Sequence, residues 1–144
     1  MRKSLIKKMI GGKIADISRT CDLISIQINT RKHGNLFLHI QSFVRIINNK
    51  RIIVSSEDMY KCGSNCNLVD FNWDVPGESL FDDSLKKHTN LIFNSVIIQV
   101  RKNQNDDLYI KLENGCLIQI SINTSEFEEK YRIFNDEEEF IVSS

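Results

Sequence analysis

The sequence has little proline, little glycine and no long hydrophobic run. A single proline and six glycines in 144 residues are too few for a disordered or collagen-like chain. No apolar segment reaches the roughly 20 residues that a membrane-spanning helix needs. The basic amino terminus does not predict a signal peptide, because Lys7 and Lys8 interrupt its apolar residues and no small-residue cleavage site follows. These features predict one folded domain, residues 1–144, in the cytoplasm and without a membrane partner.

The sequence also lacks recognisable catalytic and metal-binding motifs. Cys62 and Cys66 have a spacing that zinc sites tolerate, but no second pair of ligands follows them. None of the three histidines has the context of a catalytic base beside a nucleophile. All four cysteines are therefore expected to be free thiols. We predict no catalytic residue, no metal site and no cofactor.

A net charge of zero conceals an unequal distribution of charge along the chain. Residues 1–51 carry a net charge of +9, and residues 52–144 carry −9. Strands from the two parts could pair and neutralise each other, or one pole could meet a charged partner. The basic residues are spread over predicted strands and turns without interleaved exposed aromatics, so nucleic acid is not an expected partner.

The strongest structural signal is Asn114-Gly115 between two alternating apolar runs, which predicts a β-hairpin. A two-residue turn would divide the apolar side chains between both faces. A three-residue loop, 113–115, with Gly115 in the left-handed conformation, collects them on one face. It pairs Leu112 with Cys116, Ile110 with Ile118 and Leu108 with Ile120.

Similar alternation predicts further strands near residues 13–19, 23–29, 36–41, 43–47 and 51–55, and again at 91–101, 107–112 and 116–122. A short helix is predicted over residues 2–10. A second helix is predicted over residues 80–88, because Ser79 suits the N-cap and Asp82 follows three residues later.

Residues 44–56 match residues 131–144, which indicates an internal repeat, although short isoleucine-rich strands also match by chance. The repeated unit would be a meander of about five strands, at residues 13–56 and 91–144, joined by a loop and helix at 57–90. The predicted fold class is α+β and mainly antiparallel β. Two pseudo-repeated meanders would surround one core, with one covering helix and a short amino-terminal helix.

Acidic residues bracket the predicted strand near Tyr131 and suggest a surface for a basic protein. The predicted contacts are Glu126, Glu128, Glu129, Tyr131, Asp136, Glu137, Glu138 and Glu139, together with Trp73. The other interpretation is a solvated hairpin tip that protects an edge strand from aggregation.

Four segments resemble a group of small bacterial proteins over nearly the whole chain. They are Leu38-His39-Ile40-Gln41 with Val44-Arg45-Ile46, residues 71–82, residues 107–117, and Tyr131-Arg132-Ile133-Phe134, where such relatives often carry tryptophan in place of Tyr131. That group is similar to immunity proteins encoded beside secreted polymorphic toxins. The resemblance implies a binding protein and carries no catalytic residue.

The leading hypothesis is therefore a protein-binding module, of the immunity type, that neutralises a toxin by occlusion. One alternative is a small enzyme or metal-binding protein that uses the acidic loop around Trp73, which contains Asp70, Asp74, Glu78, Asp82 and Asp83. Another is a structural homodimer held by the opposite charges of the two parts.

Overall fold

A computed structural model describes residues 4–64 and 66–143, which form two five-stranded antiparallel sheets and short helices. The strands are β1 Lys13–Thr20, β2 Leu23–Thr30, β3 Gly34–Ile40, β4 Phe43–Asn48, β5 Arg51–Ser55, β6 Ile97–Lys102, β7 Leu108–Leu112, β8 Leu117–Ser121, β9 Tyr131–Phe134 and β10 Glu139–Val142. The helices are α1 Leu5–Lys8, α2 Leu80–Lys87 and α3 Thr89–Ile92, and a 3-10 turn spans Ser56–Tyr60. The predicted fold class, α+β and mainly antiparallel β, is confirmed.

The two halves of the chain exchange hairpins between the sheets. The first sheet has the strand order β1-β2-β3-β9-β10, and the second has the order β5-β4-β8-β7-β6. Each half thus gives a three-stranded meander to one sheet and a two-stranded hairpin to the other. The joints are antiparallel pairs, with Leu38 opposite Ile133 and Ile46 opposite Ile118. The repeat in the sequence did not predict this exchange.

The inward faces of both sheets contribute to one connected apolar core. The alternation of Ile24, Ile26 and Ile28 along β2 places all three side chains in this core, with 1% exposure or less. Helix α2 covers the core with Phe81 and Leu85, which lie four residues apart and so share one face of the helix.

The β7–β8 hairpin has the predicted three-residue loop. The Leu112 amide donates to the Cys116 carbonyl over 2.9 Å, and Gly115 has φ of +92°. Leu108 lies opposite Ile120, as the apolar pattern requires. Glycine suits this turn because its conformation would strain a residue with a Cβ atom.

Helix boundaries depart from the predictions in two places. Helix α1 covers only Leu5–Lys8, capped by the Ser4 side chain, and positions 2 and 3 of the predicted helix lie outside the described residues. The predicted strand at 91–101 is wrong in its first part, where helix α3 occupies residues 89–92. Asn94 then adopts φ of +65°, which this residue tolerates, and turns the chain toward β6. The capping box of α2, between Ser79 and Asp82, is confirmed.

The prediction of four free thiols is wrong for Cys62 and Cys66, which form a disulfide with their Cα atoms 5.8 Å apart. The loop folds back because the Gly63 amide donates to the Glu78 carbonyl over 2.8 Å. Cys21 and Cys116 are free. Within the described residues, no helix is both long and apolar enough to cross a membrane.

Candidate functional site

The predicted acidic residues do not form one continuous rim. Strand β9 runs antiparallel to β3, with Tyr131 opposite Ile40 and Phe134 opposite Phe37. The group 126–129 precedes β9 and the group 136–139 follows it, so the two groups lie at opposite ends of this strand. The prediction of a single acidic surface around β9 is therefore wrong in its geometry.

The group after β9 is partly neutralised by basic residues. Glu138 forms an ion pair with Lys8, and Glu139 lies 3.7 Å from Arg132. Glu137 remains exposed at the tip of the hairpin. The contact with Lys8 joins the acidic carboxy-terminal part to the basic amino-terminal part, as the interpretation of mutual neutralisation predicts.

The group before β9 is organised around Lys130, whose side chain is buried at 1% exposure. Its ammonium group donates to the Thr124 hydroxyl, to the Glu126 carbonyl at 2.9 Å and to a Glu128 carboxylate oxygen at 3.4 Å. A buried ammonium is costly unless such partners surround it. Residues 124–130 therefore fold around this side chain in a defined conformation.

Phe127 is the most unusual residue of this segment, because 89% of its surface is exposed. Glu126 and Glu128 flank it and are exposed, and Glu129 accepts a hydrogen bond from the Gln41 amide group at 3.2 Å. Phe127 was not among the predicted contacts. The signal was an isolated aromatic residue among acids, outside any alternating apolar run.

Tyr131 cannot contact a partner, because it is completely buried. It faces the core from an interior strand, and its hydroxyl donates to the Asp106 carbonyl over 2.8 Å. Burial, reinforced by the charges of Asp106 and Asp107, raises the pKa of Tyr131 well above its ordinary value. The prediction of Tyr131 as a binding residue is wrong, since strand pairing directs its side chain inward.

Trp73 is half-buried and packs edge to face on Tyr60, with ring centroids 5.1 Å apart. Its carbonyl accepts a hydrogen bond from the Arg19 guanidinium at 2.6 Å. Arg19 lies near the end of β1, so it fixes this loop beside the β1–β2 turn. Burial, with the nearby charges of Asp22 and Glu57, raises the pKa of Tyr60.

The loop around Trp73 and the segment 124–130 lie at the same end of the first sheet. Ile24, just after the β1–β2 turn, pairs with Ile40, and Ile40 pairs with Tyr131, just after Lys130. We call this surface the acidic end. It comprises the exposed Asp22 in the β1–β2 turn, the loop 67–75 and the segment 124–130. Loop 67–75 adds two strongly exposed apolar side chains, Leu68 at 82% and Val69 at 89%.

The carboxylates near Trp73 have separate structural partners. Asp82 accepts two hydrogen bonds from the Arg19 guanidinium, Asp83 accepts from Ser64, and Glu78 accepts from the Asn72 amide. Asp70 and Asp74 are exposed. Within residues 4–64 and 66–143, no group of three or more His, Cys, Asp or Glu side chains is arranged to hold a metal ion.

The pKa values of two of these aspartates follow from their partners. Burial alone would raise the pKa of Asp82, but the hydrogen bonds and charge of Arg19, with hydrogen bonds from Gly77 and Ser79, outweigh it and hold the pKa below its ordinary value. Hydrogen bonds from Ser64 lower the pKa of Asp83. Both groups are therefore carboxylates at neutral pH, and both hold the fold.

No protein-family model, curated protein or solved structure matches this chain. The resemblance of its motifs to immunity proteins therefore stays a prediction.

Proposed function

We propose that the protein is a cytoplasmic protein-binding module, of the immunity type, whose acidic end occupies a basic partner such as a toxin. The observation that carries this proposal is Phe127, an exposed aromatic ring on a segment held in place by buried Lys130. Aromatic residues that fill a pocket on the partner often dominate the energy of an interface. Carboxylates around such an anchor select a basic partner.

The mechanism is steric and electrostatic occlusion. The charges of Glu126, Glu129 and Asp22 steer a basic partner toward the acidic end and raise the association rate more than the affinity. Because Lys130 already orders the segment, little conformational entropy is lost when Phe127 enters a pocket. The bound module then covers the surface that the partner uses.

The first test is capture of the partner through Phe127. A photo-crosslinking phenylalanine analogue replaces Phe127 in the purified protein, which is irradiated in lysate of its own source and analysed by mass spectrometry. We expect one stoichiometric basic protein, crosslinked through this position, because an anchor residue lies in van der Waals contact with its partner.

The matched control carries the same analogue at Ile98, an exposed apolar residue of β6. We expect no crosslink to that protein from Ile98. Equal crosslinking from both positions, or none from Phe127, would contradict the proposal.

A second prediction concerns the charge of the acidic end. With the captured partner, the double substitution Glu126→Lys and Glu129→Lys should slow association about ten-fold at low salt, because favourable steering becomes repulsion. Glu128 stays unchanged, since it contacts Lys130. Stopped-flow mixing at two salt concentrations measures the rate.

The comparison variant reverses the same number of charges at the other end of β9, with Asp136→Lys and Glu137→Lys. At an ionic strength of about 0.1 M its association rate should change by less than about two-fold, because interactions between exposed charges more than about 10 Å apart are then largely screened. A larger effect from this variant would move the binding surface to the β9–β10 tip.

A further inference from the structure

The outward face of the second sheet carries a row of polar side chains from four strands. Strand pairing places Arg45 opposite Gln119, Gln119 opposite Tyr109, and Tyr109 opposite Arg101. Arg45 and Arg101 are far apart in the sequence, and this is why the basic residues looked dispersed. The fold assembles them on one surface with an aromatic ring between them.

Two contacts hold this row in place. The Arg45 Nε–H donates to the Gln119 side-chain oxygen over 2.6 Å. The Arg101 guanidinium lies over the Tyr109 ring, 4.9 Å from its centroid. A guanidinium on an aromatic ring keeps its donors free for an anion while its plane stays fixed.

This row borders an open cavity of about 500 Å³ that is lined by both cationic and apolar side chains. Lys50, Arg101 and Lys111 supply the positive charges, and Ile47 and Leu117 supply apolar surface. None of the described residues that line this cavity is an aspartate or a glutamate. This volume lies within the range of small-ligand sites.

The carboxylates nearest along the strands are engaged elsewhere. Asp107, before β7, accepts hydrogen bonds from the Ile122 amide at 2.9 Å and from Asn103 at 3.2 Å. Glu113, in the hairpin loop, accepts from the Val96 amide at 3.4 Å. In these hydrogen bonds neither carboxylate contacts a cation of the row or of the cavity. The positive charges there are therefore available to an external anion.

We propose that this face binds single-stranded nucleic acid. Lys50, Arg101 and Lys111 of the cavity and Arg45 of the row contact successive phosphates. Unstacked bases lie against Tyr109 and the apolar side chains of the cavity. Strands β4 and β6 are three strand spacings apart, which is about 14 Å. One phosphate group cannot contact arginines on both strands, so this distance favours a ligand with several phosphates along an extended chain. The apolar side chains of the cavity favour exposed bases over a duplex, whose bases are stacked inside.

This face differs from the acidic end in both sign of charge and ligand class. The proposal stands without the proposed protein partner. Although the net charge of the chain is zero, we expect it to bind nucleic acid, because positive charge is concentrated on this face.

Fluorescence anisotropy tests the proposal with a labelled 12-nucleotide oligothymidine, its duplex with oligoadenosine, and polyglutamate as a competitor. The first variant is Arg101→Ala with Lys111→Ala. Its matched control is Lys86→Ala with Lys87→Ala, which removes the same charge from exposed residues of α2. A second pair of variants, Tyr109→Leu and Tyr109→Phe, separates the contribution of base stacking to binding from that of the Tyr109 hydroxyl.

We expect the single strand to bind better than the duplex and to resist displacement by polyglutamate. Arg101→Ala with Lys111→Ala should weaken binding about ten-fold and reduce the slope of log affinity against log salt by about 1.4, the value for two lost phosphate contacts. The α2 control should leave both unchanged. Tyr109→Leu should weaken binding several-fold, while Tyr109→Phe keeps it, since stacking needs only the ring.

Three results would overturn the proposal. Equal loss in the α2 control would show that net charge alone governs binding. Displacement by polyglutamate at equal charge would assign the face to acidic proteins. Full competition by a mononucleotide would confine the ligand to the cavity and exclude the extended chain.

Discussion

Replacing Arg19 by alanine is expected to lower the free energy of unfolding by about 3 kcal/mol. The Arg19 side chain is only 3% exposed, and its Nε and Nη2 atoms each lie 2.9 Å from an oxygen of Asp82. It also donates to the carbonyls of Cys21 and Trp73. The substitution leaves the Asp82 carboxylate without its positively charged partner. It also removes the hydrogen bond that holds the loop around Trp73. Urea unfolding followed by far-ultraviolet circular dichroism measures the loss.

The matched control is Lys102→Ala, which removes an ion pair with Asp106 whose partners are about one-third exposed. Such a pair contributes roughly 0.2 to 1 kcal/mol, so its loss should be small. Arg19→Lys should recover little of the stability, because an ammonium group cannot make the two parallel bonds to Asp82. If Arg19→Ala costs no more than Lys102→Ala, the structural role assigned to Arg19 is wrong.

The stability that Arg19 provides should disappear in acid. Because the folded-state pKa of Asp82 is held below its ordinary value, its contribution is fully present above that value and is lost as pH falls through the lowered one. The difference in unfolding free energy between the natural protein and Arg19→Ala should be constant from about pH 5 to 8 and should shrink below about pH 4. Denaturant titrations across this range give the difference directly.

Tyr131→Ala is expected to destabilise the fold by about 3 to 5 kcal/mol, as for other large buried rings. Tyr131 is completely buried and connects strand β9 to the loop before β7 through the Asp106 carbonyl. Tyr131→Phe should cost about 1 to 3 kcal/mol, because it keeps the ring and leaves that carbonyl without its donor. The two variants therefore separate packing from hydrogen bonding.

Phe127→Ala is the control for this prediction, because Phe127 is 89% exposed. Its stability should stay within about 0.5 kcal/mol of the natural protein. A pronounced loss in Phe127→Ala, or none in Tyr131→Ala, would reverse the roles assigned to the two rings. The same control shows that a binding defect in a Phe127 variant does not come from unfolding.

Local patterns predicted most of the strands and the register of one hairpin. Asn114-Gly115 and the apolar residues around it were enough to give the pairing of Leu108 with Ile120. The capping box of Ser79 and Asp82 was likewise visible, because its two members are only three residues apart. Interactions within one hairpin or one helical turn are encoded by nearby residues, and a single sequence shows them.

The location of the candidate site could not be predicted in the same way. Tyr131 faces inward because β9 is inserted between β3 and β10, and no nearby residue indicates that pairing. In the sequence the acidic residues on both sides of β9 suggest one surface. In the structure the strand places the two groups at its opposite ends. Lys130 was overlooked because a lysine next to a predicted strand is ordinarily exposed, and its partners at Thr124 and Glu126 give no signal in the sequence.

The exchange of hairpins between the sheets also determines the order in which the chain can complete its fold. During synthesis, the first half emerges with β3 and β4 each lacking one neighbour, since their partners β9 and β8 are made much later. Pairing of Leu38 with Ile133 closes a very long loop, so the fold has a high contact order and should form slowly. Two open strand edges on the nascent chain would favour mispairing with other chains. The second sheet can therefore be completed only after β8 has left the ribosome, and the first sheet only after β10 has left it.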